Sequence, residues 1–197
     1  MGKSTIATML AALGWPVFDA DMAVKDFYES DDAVVIEAAF PGVVTDGVVN
    51  RELLASRTLS DSSAMSHLEA IVHPAVAARR SRFLRDARKQ CRHVVLLDIP
   101  LLFESGGDRS VDFVIVVSAS LDNQRTRALS RSNMTASKFD SILARQIPDK
   151  EKRRRAHYVI DTNKSLTDSA AQVAGLVRAI AGVTGKGSKN AGNRPRH

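Results

Sequence analysis

With 197 residues, of which 44% are hydrophobic and 25% charged, the chain has the size and composition of a soluble globular protein with one domain, or one domain that carries a small helical insertion. No apolar run is long enough to cross a bilayer, no signal peptide leads the chain, and the single cysteine, Cys91, excludes an internal disulfide, so we expect a cytoplasmic protein with no membrane partner. The net charge of +6 permits an anionic partner, but much of the positive charge falls in residues 79–92, 150–155 and 186–196, and we expect residues 182–197 to form a disordered basic tail.

The first segment, Gly2-Lys3-Ser4-Thr5 before an apolar run, allows two interpretations. It matches the second half of a P-loop, in which backbone N–H groups and the lysine bind phosphates and the hydroxyl binds Mg²⁺. It also matches a helix that is capped by Ser4 or Thr5, and on these residues alone the capped helix is the stronger interpretation. Either way, the spacing of apolar residues predicts a helix over residues 5–13, ended by Gly14.

A short buried strand is predicted over residues 15–18, with Asp19 and Asp21 at its carboxyl end. Ligands of parallel α/β sheets collect outside the carboxyl ends of the strands, so these carboxylates are candidates for chemistry. We expect one of the two aspartates to cap the next helix. A carboxylate close in sequence to a phosphate loop, as Asp21 is, can accept a hydrogen bond from an attacking hydroxyl and orient it.

Residues 22–89 are predicted to be an insertion of helices between the second and third strands of a parallel sheet. Short helices are expected over residues 32–40 and 51–57, and a longer one begins at Ser60. We expect His73-Pro74 to break that longer helix before a second helix over residues 75–89. A structural and a functional role for His73 remain equally open at this point.

The second half of the chain alternates strands with helices, which predicts a parallel sheet with right-handed crossovers. Strands are expected over residues 94–99, 113–117 and 158–160, and helices over residues 121–131, 135–146, 151–156 and 166–180. Asp98 ends the first of these strands, where P-loop enzymes place a carboxylate associated with Mg²⁺.

Two groups of basic residues are candidates for anion binding. Arg125, Arg127, Arg131 and Arg145 lie in the two helices after residue 120, where nucleotide kinases carry a mobile lid, and arginines there can bind a transferring phosphoryl group. The basic residues between Arg79 and Lys89 could meet a polyanion. For any single arginine a solvated helix face is the better interpretation.

Six segments resemble the dephospho-coenzyme A kinase family and occur in the order and at the spacings of that family. The resemblance covers residues 1 to about 181. The most specific are Asp-Ala-Asp at 19–21, His-Pro at 73–74 and Pro-Leu-Leu-Phe-Glu at 100–104, taken together. The others are Gly-Lys-Ser-Thr at 2–5, Asp-Gly-Val-Val-Asn-Arg-Glu-Leu at 46–53 and Gln-Arg-Thr-Arg at 124–127, continued to Arg131.

The resemblance implies an α/β P-loop kinase with a three-layer fold, a parallel sheet, a helical substrate-binding insertion and a lid. It divides the chain into a nucleotide-binding core of residues 1–21 and 91–181, a lid at about residues 121–150 and a substrate domain of residues 22–90. The implied reaction is ATP-dependent phosphorylation of the ribose 3′-hydroxyl of dephospho-coenzyme A, the last step of coenzyme A synthesis. ATP and Mg²⁺ are the implied cofactors, nucleic acid is not an expected partner, and a monomer or weak homo-oligomer is expected.

The resemblance also assigns roles to residues, which are grouped here by role. The catalytic residues are Asp21, which orients the hydroxyl, with Lys3 and Arg131. ATP binding is assigned to Gly2, Lys3, Ser4, Thr5 and Asn163, and Mg²⁺ to Ser4 and, indirectly, Asp98. Substrate binding is assigned to Arg51, His73, Pro100, Leu101, Leu102 and Glu104.

The chain departs from the family pattern in three places. Arg145 stands three residues after the position of the usual lid arginine, roughly one helical turn, and could replace it. Asp161-Thr162-Asn163-Lys164 follows the last strand where the family tends to have Asn then Gly. The first strand and first half of the P-loop are missing, so we expect Met1 to be an internal methionine of a longer natural chain.

Three alternatives to this function remain. They are another small-metabolite or nucleoside monophosphate kinase, an inactive nucleotide-binding fragment and a basic nucleic-acid binder.

Overall fold

The computed structural model describes residues 2–132 and 134–187, with only the backbone for residues 182–187. The described residues divide into two units. The central unit is Pro16–Pro100, and the terminal unit combines Met1–Trp15 with Leu101–His197. The central unit therefore contains the predicted insertion, residues 22–90, together with the strands on either side of it. Within the described ranges, no helix is both long enough and apolar enough to span a membrane.

The central unit is mainly helical. A three-residue strand leads directly into a helix because Asp19 caps that helix: its Oδ1 accepts from the N–H of Met22 at 3.0 Å. Asp46 and Gly47 both have positive φ, as a two-residue hairpin turn requires. The elements in chain order are β1 (Val17–Asp19), α2 (Ala20–Tyr28), α3 (Val34–Ala39), β2 (Val44–Thr45), β3 (Val48–Val49), α4 (Arg51–Thr58), α5 (Ser62–Lys89) and β4 (Leu96–Asp98), counting the helix Lys3–Ala12 of the terminal unit as α1.

The core of the central unit lies between α5 and the shorter helices and hairpin. Ile36 and Val43 are completely buried there. The remaining buried members of this cluster are Phe27, Tyr28, Ala33, Phe40, Val49, Leu54, Leu68 and Val72. The two-residue strands β2 and β3 are held as a hairpin because Val43 and Val49 face this core.

Helix α5 is continuous, so the predicted break at His73-Pro74 is wrong. Pro74 lies inside the helix, which runs from Ser62 to Lys89. A proline removes one backbone hydrogen bond and crowds the preceding turn, yet tertiary packing can outweigh that cost. Leu68 and Val72 before the proline, and Ala75 and Val76 after it, all pack on the same core. Burial of both halves on one core keeps the helix in one piece.

The terminal unit contains the remaining strands and helices. The helices α1 and α9 (Leu166–Gly187) pack against each other, and their buried residues include Ile6 and Leu10 on α1 and Val173 and Leu176 on α9. A second apolar cluster joins Phe103, Val114 and Val116. The elements in chain order are α1 (Lys3–Ala12), β5 (Ile115–Ser118), α6 (Leu121–Leu129), α7 (Ala136–Ala144), α8 (Asp149–Arg155), β6 (Tyr158–Asp161) and α9 (Leu166–Gly187).

The strands pair in parallel, as predicted, but in two separate sheets. In the central unit β1 pairs with β4 and Asp19 stands opposite Asp98. In the terminal unit β5 pairs with β6 over four residues, from Ile115 opposite Tyr158 to Ser118 opposite Asp161. The described residues thus form two parallel pairs and one hairpin instead of the single sheet expected from the sequence. Strand β4 is also shorter than predicted, and Leu96 and Leu97 are half-buried.

Most other element boundaries agree with the sequence to within a few residues. Gly14 follows α1 with a φ of 88°, in the position predicted for the residue that ends the helix. Helix α9 continues to Gly187, past the predicted end at residue 180. Residues 188–197, which make up most of the predicted disordered tail, lie outside the described residues.

Candidate active site

The N-terminus of α1 is arranged to receive an anion. Gly2 is the N-cap residue, with a left-handed φ of 82°, and no side chain caps the helix. Lys3, Ser4 and Thr5 form its exposed first turn. The interpretation that Ser4 or Thr5 caps the helix is therefore wrong, because both lie inside it. Backbone N–H groups and the helix dipole at such an uncapped end favour a phosphate.

A hydrogen-bonded cluster supports Gly2 from the loop after β6. Thr162 is buried, and a Cβ atom placed on Gly2 would lie 3.7 Å from its Cγ2. The N–H and Oγ1 of Thr162 both donate to the carbonyl of Ser118, at 2.9 and 3.1 Å. Arg127 donates to the carbonyl of Thr162 at 2.6 Å and contacts its Oγ1 at 3.2 Å. The ends of β5 and β6 and the helix α6 are thereby joined beside the uncapped end of α1.

Sequence reasoning did not identify Ser118 or Thr162 as parts of the site, and it grouped Arg127 with the lid arginines. Thr162 was noted as a departure from the family pattern, and that departure was the available signal. Asn163, assigned to ATP binding, uses its Oδ1 to accept from the N–H of Ser120 at 2.7 Å and from Nδ2 of Asn123 at 3.0 Å. In this structure Asn163 holds the start of α6.

The two aspartates after β1 have different environments. Asp19 caps α2, which confirms the prediction that one of the pair would be a cap. Asp21 lies in the first turn of the same helix and its side chain is exposed. Asp98, opposite Asp19 in the neighbouring strand, is only 5% exposed. Of the three carboxylates, Asp21 is the one that is exposed to solvent.

Two of the residues assigned to the substrate, Arg51 and His73, are exposed on helices of the central unit. Arg51 is the first residue of α4, which Asn50 caps by accepting from the N–H of Leu53 at 3.0 Å. The charge of Arg51 reaches buried Tyr28: burial raises the pKa of the Tyr28 phenol, and Arg51 partly offsets that increase. His73 is exposed in the middle of α5, immediately before Pro74.

A cavity of about 270 Å³ in the central unit involves one of the basic residues of α5. Arg79 donates to Asp32 at 3.0 Å and to Ser30 at 3.3 Å, and its guanidinium lies 5.3 Å from the ring centre of Phe27. For Arg79 these contacts favour a structural role over the binding of a polyanion. The cavity is lined by Phe27, Asp32, Val35, Ile71, Ala75, Ala78 and Arg79.

The residues of the segment at 100–104 differ in exposure and in their contacts. Leu101 is 43% exposed and has a positive φ of 52°. Leu102 packs against the cluster around Phe103, which is itself buried. The Glu104 carboxylate accepts from the N–H of Ile147 at 2.9 Å. Pro100 is exposed at the end of the central unit. The expectation that Leu101, Leu102 and Glu104 all contact the substrate remains a prediction, and Leu101 is the most accessible of the three.

The candidate lid arginines differ in their contacts. Arg125 is paired with Asp140 at 2.9 Å, and its guanidinium lies 5.6 Å from the ring centre of Phe139. Arg131 is exposed just after α6, and Arg145 is exposed at the C-terminal end of α7. Arg125 therefore stabilises the packing of α6 on α7, whereas Arg131 and Arg145 extend from the ends of these helices.

The comparisons with known proteins identify the family. The sequence profile of the dephospho-CoA kinase family matches residues 1–168. The chain belongs to the dephospho-CoA kinase family. As a member of this kinase family it is an ATP-dependent phosphotransferase.

Relatives within the dephospho-CoA kinase family match over nearly the whole chain. A dephospho-CoA kinase of Rhodopseudomonas palustris strain BisB18 is 49% identical over 181 residues, which is 92% of this chain and 91% of the relative. A dephospho-CoA kinase of Brucella melitensis is 47% identical over 182 residues, with the same coverage of both chains. The expectation that Met1 lies inside a longer chain stays a prediction.

Solved structures match the fold of this dephospho-CoA kinase family member. The crystal structure of TT1252 from Thermus thermophilus has a TM-score of 0.75 and is 32% identical, with 91% of each chain covered. The structure of dephospho-CoA kinase from Campylobacter jejuni has a TM-score of 0.65 over 91% of each chain, but at 20% identity it supports the fold alone. A mixed α/β fold with parallel strands is thereby confirmed.

The residues present fit ATP better than they fit a free metal ion. The uncapped end of α1 next to Lys3 offers backbone donors and a positive charge to phosphates. Within the described residues, no group of three or more His, Cys, Asp or Glu side chains could hold a metal by itself. Ser4 and Asp98, assigned to Mg²⁺, belong to different units. A magnesium ion held mainly by nucleotide phosphates suits this arrangement, because Mg²⁺ in kinases is bound by few carboxylates.

Proposed function

We propose that this kinase transfers the γ-phosphate of ATP to the ribose 3′-hydroxyl of dephospho-CoA, giving ADP and coenzyme A. The observation that carries the proposal is the uncapped N-terminus of α1 in a chain that belongs to the dephospho-CoA kinase family. The proposed reaction forms a bond between the ribose oxygen and the γ-phosphorus, breaks the bond from that phosphorus to the β–γ bridging oxygen, and releases the hydroxyl proton.

In the proposed mechanism, residues of the terminal unit bind the phosphates. Gly2 allows the backbone to come close to the phosphates, because glycine has no side chain. Its left-handed φ would also be strained for other residues. Lys3 and the first-turn N–H groups of Ser4 and Thr5 neutralise the negative charge. The Ser4 hydroxyl and, indirectly, Asp98 would hold Mg²⁺, which would supply positive charge to offset that of the phosphates.

The lid supplies further positive charge in this proposal. Arg131 is exposed and binds the transferring phosphoryl group, where a planar guanidinium can donate two parallel hydrogen bonds. Arg145, exposed at the end of α7, replaces the lid arginine that the family carries one helical turn earlier. Arg125 is less suited to this role because Asp140 already pairs with it.

Asp21 is the proposed hydroxyl-orienting residue. Its exposed carboxylate can accept the proton of the ribose 3′-hydroxyl as that oxygen attacks, whereas the carboxylate of Asp19 is occupied by the cap of α2. Arg51 and His73, exposed on α4 and α5, and the segment from Pro100 to Leu102 are the proposed contacts with dephospho-CoA. A cytoplasmic location and a monomer or weak homo-oligomer complete the proposal.

The test measures ATP-dependent formation of coenzyme A from dephospho-CoA and Mg²⁺ by the full chain, by Asp21→Asn and by Asp19→Asn. We expect Asp21→Asn to lower kcat by about 100-fold or more, since positioned acid–base groups contribute about 10²–10⁴-fold. Asp19→Asn is the matched control, because asparagine caps helices as well as aspartate does. Failure of the full chain to convert dephospho-CoA, with turnover of another alcohol in a substrate panel, would move the assignment to another small-molecule kinase.

A further inference from the structure

A polar cluster connects the segment after β4 to the C-terminal end of the proposed lid. We call Glu104, Gln146, Ile147 and Lys152 the lid-root cluster. Glu104 Oε1 accepts from the Ile147 N–H at 2.9 Å and lies 3.7 Å from Lys152 Nζ. Lys152 Nζ also donates to Gln146 Oε1 at 2.6 Å. All four residues belong to the terminal unit, so one carboxylate contacts both the residues that follow α7 and the helix α8.

The ion pair in this cluster is largely removed from water. The side chains of Lys152 and Glu104 are 14% and 15% exposed. The second carboxylate oxygen, Glu104 Oε2, is buried and has no hydrogen-bond partner among the described residues. Removing two charges from water is costly, so a buried ion pair adds little net stability. It can still favour one arrangement of the surrounding groups over others. The arrangement it specifies here is the position of residues 146–147 relative to the segment at 101–104.

The segment that carries Glu104 is itself tightly held. Phe103 is buried, and the guanidinium of Arg155 lies 4.5 Å from its ring centre. Arg155 also pairs with Asp108 at 2.6 Å. A Cβ atom on Gly107 would come within 2.8 Å of Leu102 Cδ1, so the turn after Glu104 is closely packed. The carboxylate of Glu104 therefore extends from a rigid part of the molecule.

Helix α8 is also anchored to strand β5. Asp149 accepts from the Ser118 hydroxyl at 2.8 Å, and Arg153 donates to the same hydroxyl oxygen at 3.1 Å. Strand β5, helix α8 and the segment at 101–107 thus form a connected base. Glu104 joins the last residues of the lid to this base.

We propose that Glu104 is a positioning residue that fixes the C-terminal root of the lid, and that it is not a ligand of the substrate. The inference rests on the proposed function, because the lid matters only if Arg131 and Arg145 act on phosphate. Small misplacements of groups that bind a transition state cost large factors in rate. Glu104 acts on the reaction through Ile147 and Lys152, by keeping the lid helices in the orientation from which those arginines reach the phosphoryl group.

Steady-state kinetics of Glu104→Gln, Lys152→Gln and the double variant test the proposal. We expect each single variant to lower kcat by about tenfold or more, with little change in the KM for dephospho-CoA, and the double variant to be no worse than either. Glu151→Gln is the matched control, since Glu151 pairs with Arg154 on the exposed side of α8 and should keep full activity. A rise in the KM for dephospho-CoA in Glu104→Gln alone, with Lys152→Gln unaffected, would instead make Glu104 a substrate ligand and overturn the proposal.

Amide hydrogen exchange on the substrate-free protein separates failure of this proposal from failure of the proposed function. Removing the acceptor in Glu104→Ala should speed exchange of the Ile147 amide and of α7, while α9 keeps its protection. Unchanged exchange at Ile147 overturns the lid-root role, whatever the enzymatic activity. If the wild-type chain does not phosphorylate dephospho-CoA, the proposed function fails, and the role of Glu104 in the reaction is withdrawn with it. Should Glu104→Ala not fold, Lys152→Gln removes the ion pair but keeps the acceptor of the Ile147 amide, so faster exchange of α7 is then the expected result and unchanged exchange of α7 overturns the lid-root role.

Discussion

Asp19 and Asp21 carry the same functional group two residues apart, and the backbone gives them different environments. Asp19 has extended dihedral angles, which turn its carboxylate onto the N–H of Met22 in the first turn of α2. Asp21 is already inside the helix, where its side chain points away from the axis and is exposed. A helix that begins directly at the end of a strand thus uses one acidic residue for structure and leaves the next available for chemistry.

Glu37 shows a structural use of a carboxylate that leads to a pH prediction. Its two oxygens accept from the N–H groups of Gly42 and Val44, at 2.6 and 2.8 Å, and so hold the start of the hairpin against α3. These backbone hydrogen bonds, that from Gly42 foremost, hold the pKa of Glu37 below its ordinary value. A carboxylate whose pKa is lowered by folding stabilises the protein above its unfolded-state pKa, and that stabilisation is lost as the pH falls through the folded-state pKa.

We therefore predict that Glu37→Gln lowers the melting temperature at pH 7, because an amide has one acceptor oxygen and its NH₂ group would face the second N–H. The difference between the wild type and the variant should begin to shrink as the pH falls below about 4.3, the ordinary pKa of glutamate, and should be smallest below the lowered pKa of the folded-state carboxylate, where Glu37 is protonated in both states. Thermal unfolding followed by circular dichroism between pH 3 and 7 measures this. Glu29→Gln, at an exposed residue 3.8 Å from Lys25, is the control, and an equal effect there would contradict the prediction.

Sequence patterns predicted the role of a residue within its own helix or strand better than they predicted its contacts with residues far along the chain. That one aspartate of the pair would cap a helix followed from the strand-to-helix junction alone. The contacts of Thr162 with Ser118, Arg127 and Gly2 could not be predicted, because they join residues far apart in the chain. The same holds for Glu104 and Ile147, which are 43 residues apart.

At the scale of elements, α5 shows how packing overrides a local signal. His73-Pro74 is a reasonable break signal, since proline lacks the N–H that a helix interior requires. The break does not occur because apolar residues on both sides of Pro74 face the same core. Local propensity is a weak predictor in a 28-residue helix that is held over its length by the shorter elements of its unit.

We predict that Pro74→Ala stabilises the protein, because alanine restores the missing hydrogen bond at an exposed position inside the helix. Proline costs about 3 kcal/mol relative to alanine in a helix interior, and we expect a gain of roughly 1–3 kcal/mol. Urea unfolding followed by circular dichroism measures the change. His73→Ala is the control at the neighbouring exposed position and should change the stability by less than about 0.5 kcal/mol. Loss of stability in Pro74→Ala would contradict the prediction and would mean that Pro74 itself supports the packing of Val72 and Val76 on the core.

At the scale of the whole molecule, the alternation of strands and helices predicted parallel pairing correctly and its extent incorrectly. The observed parallel pairs are β1 with β4 and β5 with β6, and the sequence predicted parallel strands without naming these partners. A single sheet was expected both from that alternation and from the family resemblance, whereas the described strands are two to four residues long and lie in separate sheets. The hydrophobic pattern of a strand indicates which of its faces is buried, but it does not identify the strand whose edge meets it in space.

The two units also divide the candidate site residues between them. Gly2 to Thr5, Arg131 and Asn163 lie in the terminal unit, whereas Asp21, Arg51 and His73 lie in the central unit. The proposed roles predict that each substrate slows amide exchange mainly in one of the two units. The proposed nucleotide contacts and the proposed dephospho-CoA contacts can therefore be examined separately, with one ligand present at a time.

We predict that a non-hydrolysable ATP analogue with Mg²⁺ slows amide exchange in α1 and at residues 162–164, and that dephospho-CoA slows it in α4 and α5. The physical reason is that a ligand stabilises the conformations in which its contacts are made, by an amount that grows with its concentration relative to its Kd. Exchange followed by mass spectrometry at saturating ligand measures both patterns. His73→Ala is the matched variant: it should weaken the protection by dephospho-CoA and leave the protection by the analogue unchanged. Protection of α5 by the nucleotide alone would contradict the division of roles, because α5 would then contribute to phosphate binding.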